Sequence, residues 1–233
     1  FGNGVESDRI RDDYNATVIG KGVRVSSVLN EPYAEERLGS QMIFSGIFNS
    51  TSGINNTNQF LTAENITKSL NVSYGTLQKL HARDTDLIAL CEDKCFRILA
   101  NKDALYNADG STNVTASNNV LGQTVPFVGE YGISKNPESF ASFGFRSYFT
   151  DKARGTVMRL SRDGLTDIGD KGMSYFFQNA FKTNVSPNIV GAYDSDIGSY
   201  NVVLGNEGLS FKERVDGWNT RMSYDPEFGI SLN

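Results

Sequence analysis

The alternation of apolar and polar positions is clearest in the middle of the chain. Residues 143–149 read FGFRSYF, and the side chains of Phe143, Phe145, Ser147 and Phe149 would share one side of an extended backbone. This spacing predicts one half-buried strand. Two further strands are predicted after glycine-containing turns, at residues 156–161 and 165–168. Because a three-stranded antiparallel meander is only marginally stable by itself, we expect it to pack against further units.

Strand patterns recur on both sides of this meander. Upstream, residues 86–90 and 96–99 predict a hairpin, and the polar stretch 101–119 predicts a long loop. Downstream, four strands are predicted, at residues 189–193, 200–204, 209–215 and 218–224. The units begin near residues 86, 143 and 189, which are 57 and 46 residues apart, close to the roughly 40–50-residue period of propeller blades. We therefore predict a mainly β fold, in which antiparallel meander units form part of a β-propeller.

One segment between the second and third units has helical spacing. Its apolar residues recur every three or four positions, at Met173, Phe176, Phe177, Ala180 and Phe181. This stripe predicts an amphipathic helix over about residues 170–182, with Asp170 as its N-cap. Because such stripes usually pack on a core, we interpret the helix as an insertion that covers the sheets.

The first 80 residues carry weaker patterns. They suggest a strand at 23–28, a short helix at 32–38 and two helical turns at 62–70. We therefore divide the chain into an irregular N-terminal arm or interaction layer, residues 1–80, and a β-meander domain, residues 81–233. The chain begins on Phe1 and ends just after an apolar-alternating segment, and we expect it to be a fragment of a longer protein.

Charge and cysteine usage narrow the classes of partner. The formal net charge of −5 argues against nucleic acid as the main partner, because phosphate-binding surfaces are usually basic. No apolar run reaches the roughly 18–20 residues of a membrane span. Cys91 and Cys95 flank a three-residue loop, and they are either free thiols or a strained cross-strand disulfide. A zinc site would need more ligands than these thiols and His81, the one histidine.

The candidate catalytic groups lack the partners that catalysis requires. His81 stands beside no nucleophile motif, and a base without a partner does not define a site. Carboxylates are more frequent, but most fall in predicted turns, where local backbone hydrogen bonds explain them; they are Glu92, Asp93, Asp151, Asp163, Asp194 and Asp196. We therefore predict no catalytic residue and no enzymatic activity.

Metal and modification signals are equally weak. The sequence Asp194-Ser-Asp196-Ile-Gly198 resembles part of a calcium loop, but the remaining ligands of such a loop are missing. We predict no metal-binding or cofactor-binding residue and no cofactor. Seven Asn-x-Ser/Thr sequons also occur, and the high content of these residue types explains them by chance; they start at Asn15, Asn49, Asn55, Asn65, Asn71, Asn113 and Asn184.

Several long runs of this chain resemble a known family. They read FGNGVESDRIRDDYNA, FSGIFNSTSGINNTNQF, ILANKDALYNADGSTNVT, VLGQTVPFVGEYGISKNPESFASFGFRSYFTDKARGTVMRLSRDGLT and DGWNTRMSYDPEFGISLN. They are similar to very large virion structural proteins of tailed bacteriophages, notably marine and gut phages. The resemblance spans nearly all of the chain and is most specific over residues 120–166. More loosely, the predicted blades resemble the nozzle or muzzle proteins that close the tail of short-tailed phages.

The resemblance implies a particle component located in the virion tail. Its partners would be other tail proteins and copies of itself, joined through the arm 1–80 and through the loops 101–119 and 194–199. The alternative is a tail module that binds a host receptor or surface glycan, and that hydrolyses glycan in some versions. Aromatic rings could stack on sugars there, although we expect most of them to pack in the core; the candidates are Tyr131, Tyr148, Tyr193, Tyr200 and Trp218.

Overall fold

The structure of the protein is a computed structural model that describes residues 38–60, 66–83, 86–106, 112–183 and 188–231. The strand predicted at 23–28, nearly all of the helix predicted at 32–38 and three sequons (Asn15, Asn65 and Asn184) lie outside these ranges. The chain forms two compact units. The first contains Phe1–Asn71 and Asn101–Gly122, and the second contains Val72–Ala100 and Gln123–Asn233. The division into an interaction layer 1–80 and a β domain 81–233 stays a prediction.

Between residues 38 and 71, the described part of the first unit contains four short strands: β1 (Gln41–Ile43), β2 (Phe48–Asn49), β3 (Ile54–Asn55) and β4 (Thr67–Ser69). β1 pairs with β4 in antiparallel fashion, with Met42 opposite Lys68, and β2 pairs with β3. The Lys68 ammonium also donates a hydrogen bond to the Gly122 carbonyl at 2.7 Å. The helical turns predicted at 62–70 are wrong for the described part of that range, because β4 is extended and paired with β1.

Three four-stranded antiparallel sheets follow, which we call blades 1, 2 and 3. Blade 1 contains β5 (Leu77–Arg83), β6 (Asp86–Cys91), β7 (Cys95–Tyr106) and β8 (Thr112–Pro126). Blade 2 contains β9 (Ala141–Phe143), β10 (Arg146–Asp151), β11 (Thr156–Ser161) and β12 (Gly164–Asp167). Blade 3 contains β13 (Ile189–Asp194), β14 (Ser199–Leu204), β15 (Glu207–Lys212) and β16 (Gly217–Met222). In each blade the strands neighbour one another in chain order, which is the up-and-down topology of a propeller blade. The prediction of a mainly β fold built from antiparallel meander units is confirmed.

Blade 2 has four strands rather than the three predicted for this meander. The predicted single strand at 143–149 is wrong, because the chain turns back between β9 and β10. Gly144 has a φ of 56° and so supplies the left-handed conformation that the turn requires. As a result, Phe143 and Phe145 are exposed, whereas Phe149 is fully buried.

Two further predictions about loops and strand ends need correction. The long loop predicted at 101–119 is mostly strand, because β7 continues to Tyr106 and β8 begins at Thr112. The strand predicted at 209–215 ends at Lys212, after which Glu213–Val215 forms a 3₁₀ turn. Asp216 then adopts a left-handed φ of 49°, which redirects the chain into β16.

The predicted helix is present, although it starts later than expected. α1 spans Ser174–Thr183, because residues 170–172 form a tight turn in which the Gly172 amide donates to the Asp170 carbonyl at 2.8 Å. Asp170 is therefore not the N-cap. Phe177 and Phe181 are buried in the core, as the apolar stripe predicts, and the rest of the stripe packs against that core: Met173, Phe176 and Ala180.

Two apolar clusters hold the second unit together. One joins blades 1 and 2 and consists of Ile88, Leu90, Cys95, Ile133, Phe149, Met158 and Leu160. The other joins blades 2 and 3 to α1, and its buried aromatic side chains are Tyr148, Tyr193, Tyr200, Phe177, Phe181 and Phe211. Each blade thus buries side chains against the next one, which is how isolated meanders gain stability.

Candidate functional site

Three loops converge where blades 1 and 2 meet. They are the β6–β7 loop at Glu92 and Asp93, the segment before blade 2 at Gly132–Ser134, and the β10–β11 turn that starts at Asp151. The amides of Ile133 and Ser134 donate to the carbonyls of Cys91 and Glu92 at 3.0 and 2.9 Å, which fastens the second loop to the first. Gly132 is required for this approach, because a Cβ there would lie 2.2 Å from the Glu92 carbonyl oxygen.

The carboxylate of Asp151 lies at the centre of the three loops and is fully buried. Its Oδ1 accepts hydrogen bonds from the Ser134 hydroxyl at 3.0 Å and from the Arg154 amide at 3.1 Å. Its Oδ2 accepts from the Gly132 amide and from the Arg154 guanidinium, both at 3.1 Å. These donors fill the acceptor capacity of a carboxylate. Asp151 is therefore a structural anion with no free lone pair for a substrate or a metal.

Arg154 extends the same network to the β6–β7 loop. Its guanidinium, which also pairs with Asp151, lies 3.3 Å from the Asp93 carboxylate. Ser134, in a left-handed conformation with φ 53°, completes the network by accepting a hydrogen bond from the Ala153 amide at 3.0 Å. We call the set of Asp93, Gly132, Ser134, Asp151 and Arg154 the Asp151 joint.

A cavity of about 470 Å³ opens beside the Asp151 joint. Its charged lining is mixed, with Glu92 and Asp93 facing Lys135 and Lys152. Glu92 is already engaged: it accepts a hydrogen bond from the Thr76 amide at 3.0 Å and lies 3.7 Å from the Lys135 ammonium. The hydrogen bond from the Thr76 hydroxyl is the main reason that the pKa of Glu92 is lowered. A mixed lining whose acids are engaged favours neither an anionic nor a cationic ligand.

A second network lies between blades 2 and 3 and is centred on Glu213. The Tyr148 hydroxyl donates to Glu213 Oε1 at 2.7 Å, and the Arg159 guanidinium donates to Oε2 at 2.8 Å. Burial, followed by the bond to Glu213, raises the pKa of Tyr148, so this phenol stays protonated and donating. Arg146 lies at the edge of the network, 3.9 Å from Glu213. We call Tyr148, Arg159 and Glu213 the Glu213 joint.

The proposed sugar-stacking rings mostly lie inside the protein. Phe143, Tyr193, Tyr148 and Tyr200 form a stacked column with ring centroids 4.6, 5.6 and 5.0 Å apart in that order. The Tyr200 hydroxyl donates to the Ser139 carbonyl at 2.6 Å, and Trp218 Nε1 donates to the Ile168 carbonyl at 2.9 Å. Tyr131 packs, half-buried, against the cluster between blades 1 and 2. These rings join blades, and most of their surface is used in that packing.

His81 lies on β5 at the edge of blade 1. Its ring packs against that of Phe140 in a tilted arrangement, with centroids 5.0 Å apart. Burial is the largest cause of its lowered pKa, and the positive charges of Arg83 and Lys79 lower it further. Packing on Phe140 and the two nearby cations thus account for the lowered pKa of His81.

The two cysteines are free and fully buried. The Cys91 amide donates to the Lys94 carbonyl at 2.9 Å, which closes the β6–β7 loop, and the Cys95 thiol donates to the Tyr131 carbonyl at 3.3 Å. Burial raises the pKa of Cys91 to about 11 and raises the pKa of Cys95 as well. The structure therefore favours two unreactive thiols over the disulfide alternative.

The remaining acids behave as turn residues. Asp194 Oδ1 accepts from the amides of Asp196 and Ile197 at 3.0 and 3.1 Å, a local turn that occupies the would-be calcium ligand. Asp163 is exposed in the β11–β12 turn. Two sequon asparagines, Asn49 and Asn55, cap turns in the same manner. Within the described ranges, no group of three or more His, Cys, Asp or Glu side chains could hold a metal ion.

Sequence reasoning found Asp151 as a turn residue but missed the long-range members of both joints. Ser134 is 17 residues from Asp151, and Glu213 is 65 residues from Tyr148. Only one local signal could have directed attention to the first joint: two glycines, Gly129 and Gly132, precede a serine in a segment predicted as neither helix nor strand. Glu213 carried no signal of its own.

Comparisons with known proteins add little. No protein-family profile matches the chain, and no curated protein sequence is significantly similar to it. Among solved structures, the chain is similar to one titled "Streptogramin B lyase structure", with a TM-score of 0.29 and 11% identity over 69% of this chain. The match covers 59% of that chain, and so less than two thirds of its length. A TM-score this low supports no argument about activity. In the part of the chain that the structure describes, no helix is long and apolar enough to cross a membrane.

Proposed function

We propose that this chain is a structural component of a tailed bacteriophage virion, located in the tail and acting through protein–protein contacts. The proposal rests on one observation: the side chains that could bind or react with a ligand make their contacts inside the protein. The Asp151 carboxylate accepts four hydrogen bonds, and the Glu213 carboxylate accepts one each from Tyr148 and Arg159. The tyrosine rings pack between blades. Side chains that make such contacts stiffen the joints between sheets, and a virion component under mechanical load needs stiff joints.

The sequence resemblance to phage virion proteins supports the same proposal and supplies the location. The runs at residues 120–166 and at the end of the chain carry it. The partners proposed on this basis are other tail proteins and further copies of the chain. No enzymatic step, cofactor or metal is part of the proposal.

Detection in purified particles tests this function directly. Antibodies raised against the folded 233-residue chain should label the tail of intact phage particles in immunogold electron microscopy. Mass spectrometry of the same particles should recover its peptides in fixed proportion to the capsid protein. Antibody to an unrelated β protein serves as the control.

The contradicting outcome is equally concrete. Absence of its peptides from particles, combined with binding or cleavage of a bacterial surface glycan by the purified chain, would replace the structural role with the receptor-binding alternative. A glycan array and a reducing-end assay on the same preparation would provide that readout.

A further inference from the structure

One hairpin of the first unit protrudes. It consists of β2, β3 and the turn between them, and residues 47–55 are all exposed; we call these residues the β2–β3 hairpin. Two backbone hydrogen bonds close its base. The Asn56 amide donates to the Ile47 carbonyl at 2.9 Å, and the Gly46 amide donates to the Gln59 carbonyl at 3.2 Å. A Cβ on Gly46 would lie 2.6 Å from Asn56 Cβ, so glycine permits this close approach.

The β2–β3 hairpin exposes apolar side chains on both of its faces. Phe48 pairs with Asn55, and Asn49 pairs with Ile54. Because side chains alternate along a strand, Phe48 and Ile54 lie on opposite faces; they are 64% and 47% exposed, and Ile47 is also exposed. A strand that docks one face on a protein normally keeps its other face polar. Exposed apolar side chains on both faces instead fit an apolar medium that surrounds the hairpin.

The sequence around the hairpin carries no charge. Residues 38–63 contain no Asp, Glu, Lys or Arg, and this is the longest uncharged run in a chain with 21% charged residues. Charged side chains are common on surfaces that meet water. They oppose entry into the apolar part of a bilayer, and their absence removes that cost. The protruding position and the missing charges together favour a lipid surface.

The hairpin also satisfies backbone donors with its own side chains. Asn49 Oδ1 accepts hydrogen bonds from the amides of Thr51 and Ser52 at 3.0 and 3.3 Å. Asn55 Oδ1 accepts from the Thr57 amide at 3.2 Å and from the Thr57 hydroxyl at 2.7 Å. Backbone groups that leave water need such internal partners, because lipid offers none. These bonds lower the cost of moving the turn out of water.

We propose that the β2–β3 hairpin inserts into the surface of a lipid bilayer, with Ile47, Phe48 and Ile54 as the inserted side chains. Because the segment is uncharged, the hairpin binds neutral and zwitterionic lipid as well as anionic lipid. Insertion is confined to the interface: β2 and β3 have two residues each, whereas a membrane-spanning strand needs about 9–11. The proposal concerns the first unit and does not depend on the virion role.

Flotation of the purified 233-residue chain with phosphatidylcholine vesicles is the first test. Three apolar side chains bury less surface than a myristoyl chain, which binds with about 10⁴ M⁻¹, so the lipid is used at millimolar concentration. The chain should float with the vesicles. The bound fraction should change little between about 0.05 and 0.5 M salt, because only charge-dependent binding is screened.

Phe48→Asp combined with Ile54→Asp should lower the partition coefficient about tenfold or more, because both changes place a charge in the inserted region. The matched control is Val72→Asp combined with Val128→Asp. It adds the same two charges at exposed apolar positions outside the hairpin and should leave flotation unchanged. Far-ultraviolet circular dichroism should be the same for both variants, since all four side chains are exposed.

Phe48→Trp measures insertion directly. Brominated phosphatidylcholine should quench the indole that this change introduces and should leave the emission of Trp218 in the unsubstituted chain unchanged. Tyr175→Trp, at an 83% exposed position on α1, is the control and should not be quenched.

Two outcomes would overturn the proposal. One is an unsubstituted chain that does not float at millimolar lipid. The other is flotation that the two aspartates in the hairpin do not weaken. If the chain failed to float but self-associated in gel filtration, and the same two aspartates abolished that association, the hairpin would be a protein contact instead. None of these results bears on whether the chain is found in phage particles.

Discussion

The Asp151 joint and the Glu213 joint both connect neighbouring blades, but they differ in what carries the connection. The Asp151 carboxylate is fully buried, and all of its partners lie in loops or turns. The Glu213 side chain is 14% exposed, and it works beside a column of stacked aromatic rings. The first joint therefore depends on a few directional bonds to a buried carboxylate, and the second depends mainly on buried ring area.

Because of this difference, the two joints should respond differently to amino-acid substitution. A buried charge that loses its partner keeps the full cost of its lost hydration, whereas a packed ring that loses one hydroxyl keeps its packing. The Asp151 joint should consequently fail as a unit, and the Glu213 joint should weaken gradually.

The largest effect is expected from Asp151→Ala. The change leaves the Gly132 amide and the Ser134 hydroxyl without their acceptor, and it leaves the Arg154 guanidinium with Asp93 alone. We expect a loss of about 3–5 kcal/mol in the free energy of unfolding, the usual cost of breaking a buried ion pair from one side. Urea unfolding followed by the fluorescence of Trp218, the one tryptophan in the chain, measures it. Asp196→Ala, at an exposed turn, is the control and should stay within about 0.5 kcal/mol. A loss of less than about 1 kcal/mol for Asp151→Ala would remove the contrast between the joints.

The next-largest effect separates two free-energy costs, that of a steric clash at a close approach and that of an unfavourable backbone conformation. Gly132→Ala places a methyl group 2.2 Å from the Glu92 carbonyl oxygen, so the loops of the Asp151 joint must move apart. We expect a loss of about 2–3 kcal/mol, as for other overpacked sites. Gly144→Ala is the matched control: Gly144 has a positive φ of 56°, which Gly132 does not have, but a Cβ there meets nothing within 4 Å. It should cost only about 1 kcal/mol for the left-handed conformation. Equal losses in the two variants would mean that the loops of the joint tolerate separation.

The strands of these blades were partly predictable from sequence. β11 lies where the alternation places it, and β13 and β14 differ from their predicted bounds by one residue. The prediction of one strand at 143–149 was wrong because two exposed phenylalanines continue the alternation through a tight turn at Gly144. The prediction of a loop at 101–119 was wrong for the opposite reason. Its polar composition is typical of a loop, but pairing between β7 and β8 holds it extended, and β propensity yields to such tertiary context.

The joints were much less predictable than the strands. Asp151 could be recognised as a turn residue because part of its bonding is local: it accepts two hydrogen bonds from Arg154, three positions further along the chain. Its bonds to Gly132 and Ser134 depend on how blade 1 meets blade 2, and no local pattern contains that information. The tyrosine column illustrates the same limit, since its rings come from separate strands that only the fold brings into register.

A smaller effect is expected at the Glu213 joint. Tyr148→Phe removes the hydroxyl that donates to Glu213 but keeps the ring in the column. We expect a loss of about 1 kcal/mol, the net value of one hydrogen bond. Tyr193→Phe is the control, because it also keeps its ring and leaves the bonds of Glu213 intact. The same urea titration measures both. If Tyr148→Phe cost as much as Asp151→Ala, the Glu213 joint would be as dependent on directional bonds as the first one.

The smallest effect concerns pH, and it comes from His81, the one histidine in the chain, which lies on β5 of blade 1 and belongs to neither joint. Burial, then Arg83 and Lys79, lower the pKa of His81 below its ordinary 6.5. Between the folded pKa and 6.5 the unfolded chain binds more protons, so stability should rise with pH in that window and fall as the pH is lowered from 7 towards 5. Glu92, whose pKa is also lowered, loses its contribution only as pH falls below its ordinary 4.5 and through its folded pKa.

His81→Phe isolates that contribution, because it keeps a ring on Phe140 and removes the titrating group. The unfolding free energy of this variant should depend less on pH between 5 and 7 than that of the unsubstituted chain. Lys79→Gln, which removes one of the two nearby cations, should move the His81 pKa back towards 6.5 in a proton NMR titration of its single imidazole resonance. If His81→Phe left the pH dependence unchanged, proton binding at His81 would not be linked to folding.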